Sequence, residues 1–177
     1  MTDVRQIDPT EGALAEVIAP LINRAYALAQ EQLFTQLTPR VSEESVREII
    51  ADGELLLAER GGVVVGVVQF RQLAERVGFF GMLAVPPEVA STGIARELLI
   101  SLESEAARRG LHSLELDLLQ PESPTPHQTR LREWYERRGF VAQWTRPFSD
   151  VEPGAARFLR QPTDLTRFAK TIPGPVS

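Results

Sequence analysis

Residues 77–118 constrain the fold more than any other part of the chain. An apolar run over residues 77–85 ends at Pro86-Pro87, and a loop of small residues then leads into an amphipathic pattern that ends at Gly110. That pattern predicts a long helix, and the alternating apolar and polar residues 113–118 predict a strand. Strand, helix and strand at this spacing favour a right-handed crossover between two neighbouring parallel strands.

The flanking regions predict further helices and mostly antiparallel strands. A helical pattern over residues 14–26 contains Pro20, which lacks a backbone donor and therefore predicts a kink or a break. The other predicted elements are a strand at residues 4–7, a helix capped by Ser42, a hairpin of residues 54–59 and 63–71 around Gly61-Gly62, a helix at residues 128–138, and a closing hairpin of residues 141–145 and 156–160.

Composition narrows the classes of function. The chain of 177 residues carries a net charge of -5, so it lacks the basic field of a nucleic-acid binder. It has no cysteine, and His112 and His127 stand apart, so we expect no disulfide, no thiolate nucleophile and no metal site. No segment is long and apolar enough to predict a membrane span. We expect one cytoplasmic domain over residues 1–172 and a disordered tail at residues 173–177.

The loop before the long helix has the chemistry of an anion site. Its residues are small enough for a ligand to approach the backbone, and a helix start presents unpaired N–H groups with about half a positive charge. The loop lacks the Gly-Lys-Ser/Thr of a phosphate-binding P-loop and the three spaced glycines of a dinucleotide fingerprint. It therefore predicts a site for a phosphorylated ligand of another kind.

This segment resembles the cofactor motif of the GNAT family of N-acetyltransferases, Gln/Arg-x-x-Gly-x-Gly/Ala, after a strand and at the start of a long helix. Gly93 and Ala95 match the motif, and Ala90 replaces its Gln or Arg. A second resemblance is the later run from Leu131 to Phe140, with a tyrosine, a charged turn and Gly-Phe. The six motif positions are Ala90, Ser91, Thr92, Gly93, Ile94 and Ala95.

The resemblance implies a mixed α/β fold whose mostly antiparallel sheet has helices on both faces and one parallel pair, formed by the fourth and fifth strands. It implies transfer of an acetyl group from acetyl-CoA (coenzyme A) to a primary amine of a small molecule by direct attack. The six motif positions would hold the pyrophosphate, and the backbone of Leu83, Ala84 and Val85 would bind the pantetheine arm. Tyr135 would protonate the departing thiolate, which its reference pKa near 10 allows.

The general base stays open at this point. Many family members carry a glutamate on the cofactor strand, where this chain has Val77-Gly78-Phe79-Phe80-Gly81. Glu75, Glu115, Asp117 or bulk water are the alternatives. Four aromatic residues are candidates for lining an acceptor pocket, although aromatic side chains are more often core. They are Tyr26, Phe79, Phe80 and Trp134.

Other functions remain open as well. The acceptor could be a protein N-terminus or a lysine, and the fold could serve a noncatalytic acyl-CoA sensor, a reading that Ala90 and the missing glutamate favour. A dimerising scaffold without a cofactor is a third alternative, against which the small-residue loop argues. A homodimer is compatible with any of these.

Overall fold

The computed structural model describes residues 1–173, so residues 174–177 of the predicted tail lie outside the described residues. Strands and helices make up the main elements, with short 3₁₀ turns at Gly12–Leu14 and Pro87–Val89. In chain order they are β1 (Asp3–Gln6), α1 (Ala15–Leu33), α2 (Glu43–Ala51), β2 (Leu55–Arg60), β3 (Val63–Ala74), β4 (Val77–Ala84), α3 (Ile94–Arg108), β5 (Ser113–Pro121), α4 (Pro126–Glu136), β6 (Val141–Pro147), α5 (Phe148–Val151), α6 (Pro153–Ala156) and β7 (Thr163–Thr171).

All seven strands form one sheet in the order β1-β2-β3-β4-β5-β7-β6. β4 and β5 are parallel, as the strand–helix–strand pattern predicts, and every other neighbouring pair is antiparallel. The turn between β2 and β3 uses Gly61 and Gly62 at φ +57° and +77°, a left-handed conformation that glycine adopts without steric cost. The fold class is therefore the mixed α/β arrangement that the resemblance implies.

Helices cover both faces of the sheet, and neighbouring strand residues point to opposite faces. Leu55 and Leu57 belong to the core formed with α1 and α2, whereas Leu56 and Ala58 belong to the core formed with α3 and α4. We call these the α1 face and the α3 face. Phe80 and Leu114 belong to the α3-face core, so Phe79 and Glu115, which are partners in the parallel pair, lie on the α1 face.

α3 begins close against the sheet because β3 carries a glycine beneath it. A Cβ on Gly66 would lie 2.8 Å from Ile94 Cγ2 and 3.0 Å from a Leu98 methyl, so the first turn of α3 packs directly on the backbone of β3. The helix ends as predicted, with Gly110 at φ +70° directly after its C-cap. This packing places the start of α3 at the carboxyl end of β4.

Of the two local predictions for α1 and α2, the helix cap at Ser42 is confirmed and the break at Pro20 is not. Ser42 caps α2 as predicted, and its hydroxyl accepts a hydrogen bond from the Ser45 N–H. A break at Pro20 is wrong, since α1 continues from Ala15 to Leu33 across the exposed proline. The burial of Ile18 and Ile22 in the α1-face core stabilises the helix on both sides of the missing hydrogen bond.

The predicted closing hairpin is half wrong. Residues 141–145 do form a strand, β6, but its partner is β7, and residues 156–160 contain the end of α6 and an irregular segment. In that segment the backbone N–H of Arg160 donates to Leu33 O at the end of α1. Phe158 and Leu159 therefore serve a contact with a helix that is distant in sequence, and no strand forms there.

Candidate active site

The small-residue loop has an open, left-handed backbone. Ser91 and Gly93 have φ values of +63° and +89°, and α3 begins at the next residue, Ile94. Gly93 is the N-cap and gives no side-chain cap, while a Cβ placed on it would meet nothing within 4 Å. The N–H groups of the first turn therefore face an unobstructed space, which suits a phosphate.

Arg60, at the end of β2, fixes this loop from the side. Its guanidinium donates to the hydroxyl and to the carbonyl oxygen of Thr92, at 3.2 and 3.1 Å, and its Nε donates to the Thr2 hydroxyl. The Thr92 hydroxyl in turn donates to Val89 O at 2.7 Å. A positive charge thus lies beside the loop although Ala90 itself supplies none. Nothing in the sequence pattern links Arg60 to the loop.

A cleft opens between β4 and β5. Their parallel pairing covers only Val77 to Phe79 on β4, although β4 extends to Ala84 and β5 extends to Pro121. β4 also contains a bulge, because three steps from Gly81 to Ala84 face two steps on β3, and Met82 within it has a φ of +48°. Beyond Phe79 the backbone edge of β4 is therefore free to pair with a ligand.

The three cofactor-strand residues have their side chains in the two cores. Ala84 is buried in the α1-face core, while Leu83 and Val85 are half-buried and pack against the α3-face core. Only their backbone groups are left for a ligand, as the resemblance implies. Of the motif positions, Ile94 is buried at 1% exposure and Ala90 to Gly93 are exposed.

Tyr135 of α4 lies within an aromatic group on the α3 face. Its ring centroid is 4.8 Å from that of Trp134, 5.7 Å from that of Phe140 and 6.1 Å from that of Phe80. Burial strongly raises the pKa of Tyr135, so the phenol stays neutral at physiological pH. Among the described residues, Glu97 Oε2 is the one polar side-chain atom both sealed from solvent and without a partner. Tyr135 itself is 4% exposed, and its hydroxyl makes no hydrogen bond within the described residues, so it keeps at most a narrow contact with solvent.

Tyr26 of α1 approaches the same strand from the opposite face. Its hydroxyl donates to the carbonyl oxygen of Leu83 at 3.4 Å, and the Arg40 guanidinium lies 4.8 Å from its ring centroid. Burial raises the pKa of Tyr26, and the two phenols are close enough that Tyr26 adds to the raised pKa of Tyr135. Two neutral tyrosines from different helices thus converge on the opened end of β4.

The carboxylates proposed as bases are not free. The Arg167 guanidinium on β7 binds both oxygens of Asp117 and, at 2.7 Å, Glu115 Oε2. It lies between the rings of Phe79 and Trp144, 5.0 and 5.1 Å from their centroids. The two carboxylates thus share one cation on the α1 face, and three of their four oxygens are bound to it.

Position in the fold decides between the remaining candidates for the base and for the lining of the acceptor pocket. Glu75 is exposed before the start of β4, and eight residues of strand place it about 25 Å from Leu83, too far for a base. Phe79 is half-buried on the α1 face with Tyr26, but Phe80 is 1% exposed in the α3-face core and Trp134 packs against that same core. Only Tyr26 and Phe79 can therefore line an acceptor pocket on the α1 face.

Metal sites and membrane-spanning helices are the remaining features to consider in residues 1–173. Across residues 1–173, the structure brings together no cluster of three His, Cys, Asp or Glu side chains fit to hold a metal ion. Over the same residues, every helix is too short or too polar to cross a membrane.

An opened parallel strand pair, an uncapped helix start at its end and a neutral tyrosine beside it define an acyltransferase. The chain belongs to the acetyltransferase (GNAT) family, whose pattern matches residues 22–140. No protein of curated function is a significant sequence match.

Solved structures share the fold at low identity. N-acetylglutamate synthase from Neisseria gonorrhoeae, crystallised with coenzyme A and N-acetylglutamate, is 18% identical with a TM-score of 0.68 over 98% of this chain, which spans 35% of that protein. An acetyltransferase from Salmonella typhimurium with acetyl-CoA is 18% identical with a TM-score of 0.71, over 100% of this chain and 97% of that one. The ribosomal-protein-S18-alanine N-acetyltransferase of Escherichia coli is 20% identical with a TM-score of 0.69, over 100% and 97%.

Proposed function

We propose that this protein transfers an acetyl group from acetyl-CoA to the primary amine of a small molecule by direct attack. The observation that carries the proposal is the cleft beyond Phe79, which has the uncapped start of α3 at its end and the neutral Tyr135 packed against Phe80 of the same strand. The family membership and the relatives that hold acetyl-CoA or coenzyme A support it.

The residues present fit such a cofactor. The backbone of Ala90 to Ala95 would hold the pyrophosphate in the open space over Gly93, and the backbone of Leu83 to Val85 would pair with the pantetheine arm. Arg138, two residues after the end of α4, supplies a second argument, because burial and the positive charges of Arg96 and Arg137 lower its pKa. A phosphate between α3 and α4 would relieve that repulsion.

The chemistry assigns one proton transfer to a named residue. Acetyl-CoA, when bound, supplies a thioester whose C–S bond breaks as the amine nitrogen forms the new C–N bond. The Tyr135 hydroxyl gives its proton to the departing sulfur and is reprotonated from water. The nitrogen loses its proton to water, because Arg167 occupies Glu115 and Asp117. An alkyl amine with a pKa of about 10.4 is mostly protonated at pH 7, so turnover should rise with pH.

A closed rim on the acceptor side favours a small acceptor over an extended peptide. The end of α1 is tied to the segment that precedes β7, through Thr35 N to Phe158 O at 2.7 Å and Arg160 N to Leu33 O at 2.9 Å. Arg160 Nε also donates to Glu31 O, and Thr125 before α4 hydrogen-bonds to Gln32. These contacts bridge the end of α1 to the segments before α4 and β7, which would hinder an extended polypeptide at this end of the α1 face.

The test is a measurement of binding followed by turnover. Saturation with acetyl-CoA at 100 times its Kd should raise the unfolding free energy by about 2.7 kcal/mol, roughly 5 to 10 °C in Tm. Thiol release should then follow with benzylamine, butylamine or spermidine, and not with an N-terminally blocked peptide that contains lysine. Turnover of the peptide alone would make the protein acetyltransferase the better proposal.

A noncatalytic acyl-CoA sensor is the second candidate, favoured by the engagement of both nearby carboxylates with Arg167. A sensor would show the thermal shift with acetyl-CoA but release no thiol with any amine. Absence of a shift at millimolar acetyl-CoA would contradict both candidates. The cytoplasmic location and the homodimer stay predictions.

A further inference from the structure

Tyr26 stands at the junction of the cofactor strand and the α1 face. It is the α1 side chain whose polar atom reaches β4, and its hydroxyl donates to Leu83 O. Met82 and Leu83 belong to the bulge and have no register partners on β3. The hydroxyl therefore touches the strand at the point where the backbone departs from regular pairing and the cleft is open.

We propose that the Tyr26 hydroxyl binds the attacking amine. Its oxygen accepts a hydrogen bond from one N–H group of the amine, which directs the nitrogen lone pair toward the thioester. This inference rests on the proposed function. A phenol has one donor and two acceptor lone pairs. The donor of Tyr26 is given to Leu83 O, which leaves the lone pairs for an N–H on the α1 face.

The two tyrosines have different roles because they lie on opposite faces of the sheet. Tyr135 comes from α4 on the α3 face and serves the leaving sulfur, whereas Tyr26 comes from α1 and meets the acceptor from the other side. Both phenols stay neutral because burial raises the pKa of each. Tyr26 is therefore a binding residue for the amine and does not take up its proton, which passes to water.

The surroundings of Tyr26 fit this role. Arg40 stacks on its ring, and among the described residues the hydroxyl makes one hydrogen bond, to Leu83 O. Phe79 lies on the same face and offers an apolar wall, and Arg71 and Arg167 lie 5.2 and 5.0 Å from its ring centroid. Benzylamine is the chosen probe, because its ring can pack against Phe79.

The test compares Tyr26→Phe with Arg40→Gln. Tyr26→Phe removes the hydroxyl and keeps the ring, so kcat/KM for benzylamine should fall about 3- to 10-fold, the loss of one neutral hydrogen bond. The Kd for acetyl-CoA should stay within twofold, whereas the Tm should fall by roughly 1 to 6 °C because the hydrogen bond to Leu83 O is lost. Arg40→Gln removes the stacking and keeps the hydroxyl, and should leave kcat/KM within twofold.

Three results would overturn the inference. An unchanged kcat/KM in Tyr26→Phe would show that the hydroxyl does not meet the amine. A weaker Kd for acetyl-CoA with the same amine dependence would assign the hydroxyl to the cofactor strand, and an equal loss in Arg40→Gln would make Tyr26 a packing residue. Failure of the wild type to release thiol with any amine would refute the proposed function itself, and this inference with it.

Discussion

Gly93 and Gly110 offer a matched pair for testing the phosphate site. Both glycines flank α3 with left-handed φ values, +89° and +70°, and a Cβ on either would meet nothing within 4 Å. An alanine in this conformation costs roughly 1–2 kcal/mol at either position. Each variant should therefore unfold about 2 to 8 °C below the wild type, as measured by thermal denaturation without ligand.

The two variants should differ in cofactor binding. At Gly93 the added methyl group occupies the open space over the uncapped N–H groups of α3, whereas Gly110 lies at the other end of the helix. Loss of one charge-assisted hydrogen bond to a phosphate is worth about 1.5–3 kcal/mol, a 10- to 100-fold weaker Kd for acetyl-CoA. Titration calorimetry should show this loss for Gly93→Ala alone. Equal affinities of the two variants would refute the loop as the phosphate site.

Four further predictions concern Tyr135, Arg60 and Arg167. Tyr135→Phe should lower kcat about 100-fold with little change in the Kd for acetyl-CoA, as stopped-flow thiol release would show. Burial raises the pKa of Tyr135 above its unfolded value of 10.0, so the wild type should keep a constant unfolding free energy below about pH 9 and lose stability above pH 10, and Tyr135→Phe should lose less. Arg60→Gln should weaken acetyl-CoA binding about 10-fold, because Thr92 loses its tether. Arg167→Met should lower the unfolding free energy in urea by about 2 kcal/mol, because it leaves the carboxylates of Glu115 and Asp117 without their partner.

Sequence reasoning succeeded where a few neighbouring residues determine the backbone. Gly61-Gly62 defines a turn, Ser42 caps a helix and Gly110 ends one, and each effect acts within about four residues. The crossover from β4 through α3 to β5 is likewise readable, since it depends on one apolar run and two simple periodicities. The cofactor motif lies within that unit, which is why its place in the fold was predictable.

The failures share a dependence on contacts distant in sequence. β7 was missed because its residues alternate Leu165, Arg167 and Ala169 on one face, where the arginine belongs to an ion pair with β5. Residues 156–160 have an apolar strand-like composition, but their backbone groups bind the end of α1. The pairing of Arg167 with Glu115 and Asp117, both candidate bases, could not be predicted either.

The position of the cleft follows from how each strand is paired on its other side. β4 remains paired with β3 as far as Ala84, whereas β5 pairs with β7 along its whole length, from Ser113 to Pro121. Each strand is therefore held by its outer neighbour, and sheet twist together with the bulge at Met82 separates them beyond Phe79. Met82 adopts a strained left-handed conformation at the bulge. The backbone of Leu83 follows it, and Tyr26 and Tyr135 approach this part of β4 from opposite faces of the sheet. A regular β4 would close the cleft and leave the start of α3 with nothing to bind.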